Sequence, residues 1–340
     1  MKRLRLFDTV IFFLNSIFAV LLLCAYALPY VFPKQFPLLS VLSLTLPVFI
    51  LINLVFLLYW LICSKKQAFL SFFVLLAGYN HITSFYKFSG THSVEKTAEH
   101  LSVMTYNVRL FNAYRWIDSD SVATHILQLI HDRSPDILCI QEFHMEKEGV
   151  FTAYPYRYVE HKTPNQKTGQ AIFSKLPILN KGSLEFPRTS NNAIYVDVLR
   201  GKDTLRVYNL HLESLRIQPK GKGLTQEYSE RMYKRMGKAF AIQQSQVAIF
   251  KAHTGTCEYK KIICGDFNNT PYSNSYRQLK KNMKDSFKEA GSGFGRTFNF
   301  DYFPIRIDFI LVDETIEVLA HKNYTENYSD HFPVEALLSF

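Results

Sequence analysis

The chain has 340 residues, 48% of them hydrophobic, with 39 Lys and Arg against 29 Asp and Glu. That length accommodates one large domain plus a smaller unit, and the apolar excess sits at the front. Five cysteines with no C-x-x-C or Cys/His zinc spacing exclude a disulfide scaffold and a structural zinc site, while the mild basicity fits polyanionic or anionic-lipid partners without choosing between them.

Residues 6–28 and 37–63 are almost continuously apolar, each long enough to cross roughly 30 Å of hydrocarbon as a helix. The first run ends near Ala25-Tyr26-Ala27, which resembles a cleavage site, but it is longer than the apolar region of a signal peptide. A third run, residues 68–78, continues to Phe88 through aromatic residues interrupted by Asn80, His81 and Lys87. It reads either as a third crossing, with Tyr79, Phe85 and Tyr86 at the interface, or as an interfacial or re-entrant helix. Lys2, Arg3 and Arg5 before the first run, and Lys65 and Lys66 after the second, argue for the cytoplasmic side. A third crossing then puts the rest of the chain outside. The expected division is a membrane segment over 1–88 with two or three helices, a polar linker over 89–100 that includes Ser89, Ser93 and Lys96, and one domain over 101–340. A transporter or channel is excluded, because the membrane part is small and lacks a pair of intramembrane charges.

From Leu101 the chain alternates strands with helices or long loops, the pattern of an α/β domain. Residues 101–106 read as a strand delivering Asn107. Ser119 or Asp120 is placed to cap a helix whose Val122, Ile126, Leu129 and Ile130 recur at helical spacing. The apolar strand 137–140 ends at Gln141-Glu142, and a carboxylate there is costly unless it is paired, by a metal or by a salt bridge at a sheet edge. Residues 169–174 and 193–199 read as core strands, the second followed by a Gly201-Lys202-Asp203 hairpin turn. The strand 205–210 delivers Asn209, His211 and Glu213 at period two, hence on one face. Residues 216–253 carry Lys220, Lys222, Arg231, Lys234, Arg235 and Lys238. Their back half reads as an amphipathic helix through Met236, Phe240, Val247 and Phe250, and their front half as a basic loop facing substrate or lipid headgroups, or only a solvated surface.

The densest chemistry lies in residues 261–279. Ile262, Ile263 and Cys264 form a buried strand, Gly265 lets the backbone bend, and Asp266 and Asn268 project from its end. A carboxylate and an amide on one rim suit a hard cation together with a phosphate oxygen; the competing reading is an Asx turn capping a helix near Pro271. The glycines of residues 291–295 are too loosely spaced for a nucleotide-binding loop. Asp308 opens the strand 309–312, and Asp330-His331 precede the last strand.

Asn107, Glu142, His211, Asp266, Asn268, Asp308, Asp330 and His331 thus all fall at strand termini, with no Ser or Cys nucleophile motif. Converging carboxylates need a divalent cation, and oxygen ligands favour magnesium, with manganese or calcium as substitutes. Two histidines and two amides supply the proton transfers and hydrogen bonds of a phosphoryl transition state.

Met104-Thr105-Tyr106-Asn107, Ile140-Gln141-Glu142, Asn209-Leu210-His211-Leu212, Gly265-Asp266-Phe267-Asn268, Arg306-Ile307-Asp308 and Ser329-Asp330-His331 resemble, in order, the motifs of the endonuclease/exonuclease/phosphatase superfamily. The resemblance covers residues 101–340, and the apolar module before it is similar to that of membrane-anchored bacterial members. It implies a four-layer α-β-β-α sandwich of the DNase I type behind a small transmembrane module; with the basic flanks above, the expected location is a bacterial inner membrane with the catalytic domain on the extracytoplasmic side. It also implies Glu142 as principal magnesium ligand, with Asn107 close by and Asp330 as a further metal-side carboxylate. Asp266 would position or deprotonate water, Asn268 hold it or a phosphate oxygen, and His211 stabilise developing charge. His331, oriented by Asp308, would pair with the phosphate or handle the proton. The expected substrate is a phosphodiester, in nucleic acid or a phospholipid headgroup, and nothing points to a protein partner. A catalytically silent binding module would show loss of Glu142, His211, Asp266 or His331, and none is lost.

Overall fold

A computed structural model describes residues 5–88, 90, 94–161, 167–217, 226–300 and 303–340. Lys2, Arg3, Ser89, Ser93, Lys220 and Lys222 lie outside the described residues.

The apolar front folds as helices α1 (Leu6–Ala27), α2 (Pro37–Val41), α3 (Leu46–Ile62), α4 (Ala68–Ala77) and α5 (Tyr79–Phe85). Two stretches, Leu6–Tyr30 and Pro37–Ile62, are long and apolar enough to cross a membrane. The third run bends by 77° between α4 and α5, so it is a broken span or a re-entrant segment rather than one straight helix. Polar side chains knit the bundle: the Asn15 amide donates to Ser71 Oγ at 2.8 Å, and Trp60 Nε1 donates to Asn15 Oδ1 at 2.8 Å. In an apolar surrounding such bonds, rather than hydrophobic burial, fix which helices pair.

The remainder builds two six-stranded sheets. Strands β1 (Leu101–Asn107), β2 (Ile137–His144), β3 (Tyr156–Glu160) and β4 (Thr168–Ser174) join the last two, β11 (Glu317–Asn323) and β12 (Val334–Ser339), in the order β11-β12-β1-β2-β4-β3. Strands β5 (Ile178–Ser183), β6 (Ala193–Arg200), β7 (Asp203–His211), β8 (Lys260–Asp266), β9 (Met283–Asp285) and β10 (Asp308–Asp313) form the other, in the order β5-β6-β7-β8-β10-β9. Each sheet has one parallel pair at its centre, β1 with β2 and β7 with β8. A parallel pair needs a crossover, supplied by α6 (Val122–Arg133) and α7 (Gln226–Gly255). Ser121, rather than Ser119 or Asp120, stands at the α6 N-cap, and no side chain caps it. The basic residues from Arg231 onward sit on α7 rather than in a loop.

Strand alternation sorts the apolar residues into three layers of contact. Val103, Ile137, Cys139, Val207, Ile262, Cys264 and Ile310 meet between the sheets. Met104, Leu138 and Ile140 turn outward to Ile126 and Ile130 of α6, while Ile263, Phe309 and Leu311 turn outward to Val247 and Phe250 of α7. Helix, sheet, sheet and helix follow one another, the expected four-layer sandwich. Gly265 does not bend the chain but lies inside β8. At φ +137°, an added Cβ there would stand 1.9 Å from the Leu210 carbonyl oxygen of β7, so no side chain fits between these strands.

The bundle docks on this sandwich through one end. Asn274 Nδ2 and Arg277 Nε each donate to the Pro29 carbonyl at 3.0 Å, and Tyr233 OH donates to Leu38 O at 2.6 Å. Phe85 of α5 stacks on Phe303. The opposite end of the bundle carries Lys65, 3.8 Å from Asp8. Lys87 bridges Gly293, and Lys96 lies 2.8 Å from Asp136.

Candidate active site

The inter-sheet layer is apolar in its middle and polar at one end, because the inner-face parity of each central strand runs out in a polar residue. Positions 103, 105 and 107 on β1, 205 to 211 on β7, 262 to 266 on β8 and 308 to 312 on β10 alternate onto the same side, so Asn107, His211, Asp266 and Asp308 are the last or first inward residues of their strands. Glu142 has the wrong parity. One extra residue in β2 between Ile140 and Phe143, with Glu142 at φ 50°, forms a bulge that turns it to Asn107.

Asp266 is the hub. It accepts from Asn107 Nδ2 at 3.1 Å, from Asn268 N at 2.7 Å and from Asn268 Nδ2 at 3.1 Å. His211 Nε2 and His331 Nε2 stand 3.6 and 3.7 Å from the same carboxylate. His331 Nδ1 lies 2.9 Å from Asp308, and Asp308 is fixed in turn by Thr297, whose Oγ1 accepts from the backbone of Ile307 and Asp308. Asn107 Nδ2 also lies 3.3 Å from Glu142. Asp330 completes the group through Arg109, whose Nε is 3.2 Å away. All eight candidates therefore meet at one end of the sandwich. Asp266, Asp308 and His331 form a cluster whose ligand-type atoms lie within 4.8 Å of one another.

The charges do not balance. Burial pushes the Asp266 carboxyl up to about 8, with Asp308 adding to the rise. Burial and the neighbouring Asp330 likewise push Glu142 up. His211 is pushed down to about 3 by burial and by the charge of His331, so it stays neutral. Burial alone would lower His331, but Asp308 and Asp266 outweigh it and hold the imidazole protonated well above its ordinary value.

Two residues that brace the candidates, Arg109 and Thr297, carry no signal in the sequence pattern. Arg109 follows Asn107 and enters a turn in which Arg109, Leu110, Phe111 and Asn112 all have positive φ. Such a run is strained, and it is held by Asn112, which bonds the backbone of Ile117 in both directions at 2.7 and 2.9 Å. The turn brings the Arg109 guanidinium over Trp116 and against Asp330. Asn209, which shares its face with His211, reaches instead across the sheets to Gln141, Ile140 O and Ala171 O. It pins the two sheets behind the site. Glu213 lies beyond β7 and bonds Thr189.

Two packed sheets thus gather acid, amide and imidazole groups at one set of strand ends. Residues 104–331 match the model of the Endonuclease/Exonuclease/phosphatase family, and the chain belongs to that family. Its enzymes commonly use divalent metals. Residues 8–85 match a domain of unknown function (DUF8431), and no curated protein matches. Among solved structures, the human Nocturnin catalytic domain with bound sulfate is 18% identical, with 73% of this chain and 96% of that one covered at TM-score 0.54. A Bacteroides thetaiotaomicron mannosyl-6-phosphatase is 21% identical over 71% and 100%, at 0.52. D. rerio TDP2 complexed with single strand DNA product is 14% identical over 71% and 99%, at 0.54. At these identities the likeness establishes the shared fold.

Proposed function

We propose that the chain is a membrane-anchored, divalent-metal-dependent phosphoesterase that cleaves a phosphodiester by attack of water. In this reading residues 1–88 are the membrane segment, 89–100 the linker and 101–340 the catalytic domain. The observation that supports it best is the carboxylate surplus: Glu142, Asp266, Asp308 and Asp330 converge, and among the described residues Arg109 and His331 are the cations paired with them. Oxygen donors in surplus fit a hard cation, and magnesium before manganese or calcium. Glu142, Asn107 and Asp330 would hold it, since Asp308 and Asp266 are already engaged by His331. When bound, such a cation supplies charge neutralisation and a Lewis acid for the phosphoryl group.

Asp266 is the base that takes a proton from the attacking water, which the amide of Asn268 helps to hold. Its raised proton affinity suits that task near neutral pH. His331, held in orientation by Asp308, donates to the phosphate or the leaving oxygen. His211, neutral and buried, donates a hydrogen bond where negative charge develops. The neighbours named for a mannosyl phosphate and for a DNA product support phosphate esters as the substrate class.

In this reading the membrane is a bacterial inner membrane and the catalytic domain is extracytoplasmic, and the docking geometry is consistent with that side. The sandwich sits at the end of the bundle opposite Lys65, and Arg5 and Lys65 mark a cytoplasmic face. Full-length protein in detergent should hydrolyse bis-p-nitrophenyl phosphate, stop on chelation and recover with magnesium. In water enriched with heavy oxygen, one labelled atom should appear in the nitrophenyl phosphate and none in the nitrophenol. Absence of any turnover would favour the silent binding module.

A further inference from the structure

Two cavities meet at Glu142. The smaller, about 270 Å³, is a polar cleft that includes Tyr114, Trp116, Asn191, Asn192 and Glu213 in its lining. The larger, about 850 Å³, touches Glu142, Asp266 and His331 at one boundary and Leu44, Pro47 and Val48 of the helical bundle at another. Its sides include Met232, Met236, Phe298 and Phe303. That size lies in the range of about 300–1,000 Å³ typical of ligand cavities. An apolar chamber joined to a phosphoester site is an unusual fit for a polyanion and a good one for an amphiphile.

The level of its far wall matters. Pro37–Ile62 has 26 residues, which as a helix measures about 39 Å against about 30 Å of hydrocarbon. Because α3 begins at Leu46 and Tyr233 of the sandwich bonds Leu38 O, Leu44, Pro47 and Val48 lie at the sandwich-facing end of that apolar stretch. Val48 is 46% exposed, so the wall is open on that side. Arg306, only 4% exposed, also borders the chamber, and its Nε and Nη2 find no partner among the described residues. Arg216 and Arg235 also border the chamber.

We infer that the substrate is a membrane lipid carrying a phosphodiester, taken from the bilayer through the Val48 side. Its apolar chain occupies the larger chamber, its phosphate lies at Glu142 and His331, and its polar headgroup extends into the cleft beneath Tyr114 and Trp116. This rests on the phosphoesterase reading and narrows its substrates to one class. Water oxygen bonds to phosphorus, the bond from phosphorus to the leaving alcohol oxygen breaks, Asp266 takes the water proton and His331 returns one to the alcohol. An alcohol and a phosphate monoester result.

The test uses the full chain with p-nitrophenyl alkyl phosphates whose alkyl group grows from methyl to octyl, all below micelle formation. A chain entering an apolar chamber should raise kcat/KM at least a hundredfold across the series, well inside the fourfold per methylene that full burial allows. Val48→Trp should cut the octyl-to-methyl ratio at least tenfold. A phospholipid with a photoreactive acyl chain, incorporated in phosphatidylglycerol vesicles with the protein, should label peptides carrying Val48 or Met232. A flat alkyl series with Glu142-dependent turnover overturns the lipid inference and leaves the phosphoesterase intact. Faster cleavage of single-stranded DNA than of the octyl ester does the same. No turnover of even the methyl ester overturns both.

Discussion

Arg306 and Asp308 are separated by one residue, and each ties a buried acid–base pair. Asp285 accepts from Arg306 Nη1 at 2.8 and 3.1 Å, from Tyr276 OH at 2.5 Å and from Phe287 N at 3.0 Å. Burial pushes its carboxyl up, yet Arg306 and Tyr276 outweigh that and hold it below its ordinary value. Asp308 instead shares His331 with Asp266, and Asp266 ends far above its ordinary value. Equal burial thus gives opposite outcomes. A carboxylate whose lone pairs are all met is a structural element, whereas carboxylates crowded without enough cations store electrostatic stress that a ligand relieves.

The contrast predicts opposite costs for similar changes. Asp266→Asn should lower kcat about a thousandfold or more, with the melting temperature of the metal-free protein unchanged or higher. A parallel loss of stability would show that Asp266 is also structural. Asp285→Asn should destabilise by about 3–5 kcal/mol, seen as a lower melting temperature, while kcat measured well below that temperature stays near wild type. Asp308→Asn should lower kcat about a hundredfold with little change in KM, since it disorders a positioned imidazole rather than removing a binding contact. Arg109→Gln should cost about tenfold in kcat/KM, because its charge lies against Asp330 and is partly open to solvent. The smallest effect is in acid. A depressed folded pKa means that the Asp285 contribution is full above the unfolded value near 3.9 and is lost as pH falls through the folded one. Melting between pH 5 and pH 3 should therefore lose a component that Asp285→Asn lacks.

How far the sequence speaks is visible at particular residues. The strand ends were legible because apolar period-two runs stop at polar residues, and the six ordered motifs carried the family. An acid directly after an apolar strand marks Glu142 as a candidate, though the bulge that aims it at Asn107 has no signature in Gln141-Glu142 itself. Arg109 was not found as a site residue, since its position follows from a left-handed turn that generic residues such as Leu110 and Phe111 do not announce. The Asn209 bridge is a contact between sheets, and period two gives its face but not its partner. The docking of Pro29 on Arg277 joins positions remote in the chain, and so does the chamber that Val48 and Met232 line together. Such pairings are invisible to any local pattern.

The most direct measurement is turnover and melting of Glu142→Gln beside wild type, in full-length protein, with and without magnesium. Wild type should hydrolyse bis-p-nitrophenyl phosphate only with magnesium and should gain melting temperature from it. The variant should lose at least a thousandfold in rate and lose that gain, while its metal-free melting temperature does not fall. A variant that hydrolyses at the wild-type rate would contradict the site assigned here, whatever its stability.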